Sequence, residues 1–273
     1  MMQKVFDITN RYIILATPLL LFSLFSSVYL VASINSGKLI SIFIAAVVFI
    51  LMISAFLAGW LKMVKTAVEN QDADDAYMLM KEFTPGVGEF FLSTTVAVLI
   101  MSFLFGIMMV GTYFLGSHFI GNPDISAEAL ANAMRNTAEL KSLLLSLSTE
   151  QLVKLNLWNF LLMGMMLITY LLIFLYLPAL FFKNKNPIVA FGISIKDLFS
   201  KKFFMTVGVF LLIVVTNSII SVFTTLFSAN FVLHFLMTLM NYYFIVLVAV
   251  GEFYYYYQNF VLSNIGQNID IEV

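Results

Sequence analysis

Four polar side chains stand in or beside the longest apolar stretch of this chain: Asn217, His234, Asn241 and, just past its end, Glu252. An imidazole and a carboxylate can take up and release a proton, and two amides offer both donors and acceptors to a solute. His234 and Asn241 are seven residues apart, and Asn241 and Glu252 eleven. On a helix of 3.6 residues per turn these three share one face. Together with Asn217 they would form a polar seam for a solute or a proton, and polar groups at such depth in a membrane are functional candidates by default. A plainer reading makes the asparagines interhelical hydrogen-bond glue and lets Glu252 reach the interface beside the tyrosines at 254–257. On residue pattern alone the plainer reading carries more weight.

Other chemistry finds little support. Gly192-Ile193-Ser194-Ile195 resembles part of a serine nucleophile turn but lacks the following glycine. There is no HExxH zinc motif, P-loop or glycine-rich dinucleotide turn. Asp72, Asp74 and Asp75 alternate as calcium ligands do, without the loop glycine or the distal glutamate. The chain has no cysteine and only two histidines, His118 and His234. We therefore expect no catalytic, cofactor or metal site, and a protein that is not an enzyme.

The elements that position these residues follow from where charge is missing. Residues 13–34, 39–61, 90–122, 155–182 and 203–251 contain no Asp, Glu, Lys or Arg. About 20 apolar residues cross a bilayer as a helix. Of 273 residues, 62% are hydrophobic and 11% charged, against about 25% charged in soluble domains. The net charge of −1 gives no basic footprint for nucleic acid. The last run is double length and breaks best at Ser228-Ala229-Asn230. The expected fold is an all-α, polytopic membrane bundle forming a single domain. Its six spans fall near 13–34, 39–63, 90–116, 156–182, 203–227 and 231–257. Residues 13–34 are too long and uninterrupted for a cleaved leader, so they read as the first span.

Six spans place both termini on one side. Ten Lys and Arg residues fall on that side and four on the other, so the termini are expected to be cytoplasmic. Trp60, Trp158 and the tyrosines at 254–257 are expected at headgroup level, and Pro18 and Pro178 as kinks within spans one and four.

The loops carry pattern too. Asn186 is a good N-cap and Pro187 a good first residue. Ile188, Phe191, Ile195, Leu198 and Phe199 then recur at helical spacing. This makes 183–202 an interfacial helix whose Lys196, Lys201 and Lys202 would meet lipid headgroups, or a connector packed beneath the bundle. Residues 66–89 form a second such segment, interrupted by Pro85-Gly86-Val87-Gly88. Residues 123–155 form an outer amphipathic segment, and Ser148-Thr149-Glu150-Gln151 fits a capping box that starts span four. Small residues four apart, Ala55 with Gly59 and Ser102 with Gly106, permit close helix packing.

Leu177-Pro178-Ala179-Leu180, a short Lys/Asn turn, Pro187-Ile188-Val189-Ala190 and then Leu198-Phe199-Ser200-Lys201-Lys202 ahead of a new span form one pattern. Over about 157–230 it resembles six-helix bacterial membrane domains, one group of which is fused to glycerophosphoryl diester phosphodiesterases. No phosphodiesterase domain is present, so that chemistry is not implied. What the resemblance implies is a bacterial cytoplasmic-membrane protein. The sequence expectation is thus a scaffold or envelope-accessory protein whose partners are membrane lipids and other membrane subunits or a second copy. The alternative is a small-solute or lipid transporter using the seam.

Overall fold

The structure, a computed structural model, describes residues 1–34, 39–71, 76–122, 125–126, 137–227 and 230–263. Among them all regular structure is helical. A short α1 (Met2–Arg11) leads through a 3₁₀ turn (Ile13–Leu15) into α2 (Ala16–Ile34) and α3 (Leu39–Glu69). Then come α4 (Ala76–Lys81), α5 (Phe83–Phe119), α6 (Thr137–Ser146) and α7 (Thr149–Ile173). The chain continues with α8 (Tyr176–Phe182), α9 (Pro187–Leu198), α10 (Phe203–Leu226) and α11 (Phe231–Tyr256), which a π turn extends over Tyr257–Leu262. Six segments are long and apolar enough to cross a membrane: Ile13–Ala32, Phe43–Glu69, Phe83–Phe119, Thr149–Phe182, Phe203–Leu226 and Phe231–Leu262.

Local chemistry sets these boundaries. Asn230 caps α11 by accepting from Leu233 N at 3.1 Å, which places the break where small polar residues suggested it. Ser228 and Ala229 themselves lie outside the described residues, as do 72–75 and most of 123–136. Asn186 caps α9 by accepting from Ile188 N and Val189 N at 3.0 and 3.3 Å. The capping box also forms: Ser148 N donates to Gln151 Oε1 at 3.0 Å, and Gln151 N to Ser148 Oγ at 3.3 Å.

Pro18 and Pro178 fall within spans one and four, as expected, and each stands in the first turn of a helical segment. Pro178 sits in the first turn of α8, and the helix is broken just before it, at Phe174 and Leu175, where a proline ring four residues on would meet the carbonyl. Pro18 lies in the first turn of α2. Pro85 lies in the first turn of α5, so the Pro-Gly stretch starts a helix instead of interrupting one. The segment expected over 66–89 is consequently divided. Its first residues extend α3, 83–89 begin α5, and among the described residues α4 lies between.

The chain forms two compact units, residues 1–99 with 172–273, and residues 100–171. In the first unit the packed core lies at the lysine-rich ends of the helices. Ala58, Met63, Val64 and Ala67 of α3 are fully buried, as are Tyr176 and Leu180 of α8 and, nearly so, Phe90 of α5. Trp60 is 4% exposed and donates its indole N–H to Leu15 O at 2.8 Å. Tyr254, Tyr255, Tyr256 and Phe260 are buried as well. These rings are core, and the polar tips of Trp60, Tyr255 and Tyr256 bond within the protein. At the opposite ends, α2, α10 and α11 expose Val28, Leu226 and Phe231.

The second unit joins the far part of α5 to α6 and most of α7. Trp158 Nε1 donates to Gly121 O at 2.9 Å. Gly121, at φ +78°, ends α5 in the left-handed conformation that glycine adopts without strain. Phe105 meets Tyr170 edge-on at 5.1 Å.

Lipid solvates apolar side chains nearly as well as protein does, so helix association there rests on close contact and hydrogen bonds. Gly59 and Gly86 show this at the α3–α5 crossing. A Cβ on Gly86 would stand 2.6 Å from Lys62 Cβ and 2.9 Å from Ala58 O, whereas one on Gly88 would meet nothing within 4 Å. Gly86→Ala is expected to lower the detergent-phase melting temperature, an overpacking cost of about 1–3 kcal/mol. Gly88→Ala is expected to leave it unchanged or raise it slightly, because alanine favours helix.

Candidate functional site

The seam residues lie on α10 and α11. His234, Asn241 and Glu252 align along one side of α11, within about 20° of each other at 3.6 residues per turn. Two neighbouring sides of that helix are occupied. On one, the Tyr255 hydroxyl pairs with Thr206 Oγ1 of α10 at 2.7 Å. On the other, Tyr242 pairs with Ser23 Oγ of α2, and Phe253 packs on Phe181 and Phe182 of α8 at 5.9 and 5.6 Å. The polar line runs between these two packed sides. Asn217 stands on the side of α10 that also carries Phe210, which meets Phe174 edge-on at 5.6 Å.

Exposure falls along the line. His234 is exposed, Asn241 and Glu252 are half-buried, and the next turn of α11 is closed by buried tyrosines. Asn217 is exposed. None of the four side chains hydrogen-bonds or ion-pairs with another described residue. Neither asparagine, then, serves as glue between two described helices, and Glu252 is not beside an exposed tyrosine belt.

Beneath the seam the lysine-rich end is sealed by charge pairs that pattern reading missed. Asp197 of α9 accepts from Lys183 Nζ at 2.8 Å and from the Tyr256 hydroxyl at 2.6 Å, both at Oδ2. Lys183 also lies over the rings of Tyr256 and Phe260 at 5.4 and 5.8 Å. Glu89 of α5 takes Lys62 of α3 at 3.1 Å and Lys185 at 2.7 Å. Lys65 donates to Phe181 O at 3.0 Å.

Of the expected headgroup lysines, Lys202 is engaged within the protein, donating to Asn259 O at 2.6 Å. Lys196 and Lys201 are exposed and have no partner among the described residues.

The N-terminal helix α1 was also missed, although Val5, Ile8, Thr9 and Tyr12 recur at helical spacing. It seats on α11, where the Tyr243 hydroxyl donates to Asn10 Oδ1 at 2.7 Å, and just past the end of α3, where the Tyr12 hydroxyl donates to Asn70 O at 2.9 Å. A lateral groove of about 560 Å³ opens there, lined by residues such as Ile13, Thr17, Leu20 and Tyr243. None of the four seam residues lines it.

No protein-family model, curated protein or solved structure matches the chain. Function has to be read from the residues themselves. Ser194 is fully buried and donates to Phe191 O of its own helix at 2.8 Å, which is not the setting of a nucleophile. Among the described residues no three His, Asp or Glu side chains gather to hold a metal ion.

Asp197 is only 14% exposed at its side chain, and removing one member of such a pair strands the other charge. Asp197→Ala is expected to destabilise by about 3 kcal/mol or more, read as a lower melting temperature in detergent. Glu150→Ala, which breaks an exposed pair with Lys154, is expected to change nothing measurable.

Proposed function

We propose that this chain is a multi-pass protein of a bacterial cytoplasmic membrane that passes a small polar solute or lipid headgroup along the Asn217, His234, Asn241 and Glu252 seam. The observation that carries this reading is the unpartnered state of all four side chains. A polar group in a lipid-spanning helix is costly unless it is paired or wetted. At the lysine-rich end the protein pairs Asp197 and Glu89, whereas these four side chains are open.

The two supports of the scaffold reading weaken on the same observation. The asparagines bond no described neighbouring helix, and the tyrosines beside Glu252 are buried. The amides suit a neutral polar group, and Glu252 adds a site for a cation or a proton at the closed end. Placement in the cytoplasmic membrane, with both termini inside, rests on the lysine bias and on the resemblance over 157–230.

The natural absence of cysteine makes the proposal directly testable. A thiol reacts as its thiolate, which needs water. Asn241→Cys and Asn217→Cys are expected to react with a charged methanethiosulfonate reagent at least roughly ten-fold faster than Val222→Cys, which stands on the apolar outside of α10. Equal, slow reaction at all three positions would mean a dry seam and would refute transport.

A further inference from the structure

The segment joining α9 to α10 presents a second surface, independent of the seam. α9 packs on its neighbours through Ala190, Ser194 and Leu198, all essentially fully buried. Its opposite side carries Ile188 and Phe199, 71% and 63% exposed. Lys196 points along that same side, about a quarter turn from Ile188 at 100° per residue. The apolar stripe seen in the sequence is therefore split: one part anchors the helix and another faces out. Beyond it, Phe199 stacks on Phe203 at 5.6 Å, and Phe203 meets Phe204 edge-on at 5.5 Å. Phe204, 86% exposed, is the second residue of α10 and so lies where that span enters the membrane.

The cations of this segment divide sharply. Lys183, Lys185 and Lys202 are committed to Asp197, Glu89 and the Asn259 carbonyl. Lys196 and Lys201 are exposed and unpartnered among the described residues, and both adjoin the exposed phenylalanines. Exposed rings beside free ammonium groups, at the mouth of a span, match the two halves of an anionic lipid. The rings meet acyl chain, and the lysines meet phosphate. We infer that Lys196, Lys201, Phe199 and Phe204 form a binding site for an anionic phospholipid, which seats α9 in the membrane interface. Lys202, by contrast, has a structural role.

Native mass spectrometry of the full-length protein in detergent tests this, with phosphatidylglycerol and phosphatidylcholine of identical acyl chains as probes. The wild-type chain is expected to retain phosphatidylglycerol preferentially. Each lysine removed is expected to lower that retention by about five-fold, so Lys196→Gln/Lys201→Gln should lose most of it while holding phosphatidylcholine as before. Lys141→Gln, the same loss of charge on α6, should change neither. Phe199→Ser/Phe204→Ser should weaken retention of both lipids. The double lysine variant should melt with the wild type, since neither lysine has a partner to lose. Retention of phosphatidylglycerol by Lys196→Gln/Lys201→Gln equal to that of Lys141→Gln would overturn the site. So would a wild-type chain that holds the two lipids equally.

Discussion

The pairing of charge at the lysine-rich end is the constraint on which the rest of the first unit depends. A chain with so few ionisable groups cannot leave one unpaired in lipid without a large penalty. Glu89 draws α3, α5 and the turn after α8 together through Lys62 and Lys185. Asp197 draws α9 against that turn and against the end of α11 through Lys183 and Tyr256. Aromatic rings fill the space between, and the lysines lie over them as well as beside the carboxylates. With apolar burial in lipid contributing little to association, these directional contacts and the glycine crossing of α3 on α5 fix the helix ends.

A sealed end gives the open polar side chains their meaning. Glu252 lies one turn before the buried tyrosines, and Asn241 and His234 continue the same line towards the less packed ends of the helices. Such a gradient, from an exposed imidazole to a half-buried carboxylate above a closed, ion-paired layer, suits a route that is gated at one end. It suits a rigid platform less well, because a platform gains nothing from leaving amides unbonded. The clamp at Asp197 joins α9 to the end of α11.

Much of the architecture was legible in the residues. Runs without charge gave the six spans, because length and the absence of charge are the whole requirement for crossing. Asn186, Asn230 and Ser148 gave their helix starts, because a cap is a local interaction that one side chain can make. Pro85 was harder. Proline is compatible with a first turn and with a kink, and only the neighbouring helix shows which applies. Tyr256 and Trp60 are ambiguous for a related reason: an amphipathic ring suits headgroups, and it also suits a core with a carbonyl or carboxylate in reach. The seam was visible as spacing on α11, while its lack of partners was not, since that depends on residues distant in sequence. The pairs Lys183–Asp197 and Lys62–Glu89 span 14 and 27 residues, and no periodicity announces them.

The central claim, that the seam carries a solute, is tested most directly by flux. Purified protein in liposomes loaded with a mixture of small amines, amino acids and polyols would be followed by mass spectrometry of the retained contents. The account predicts faster loss of at least one class than from protein-free liposomes, and return to the protein-free rate with Glu252→Gln. Contents retained identically with and without the folded wild-type protein would contradict it.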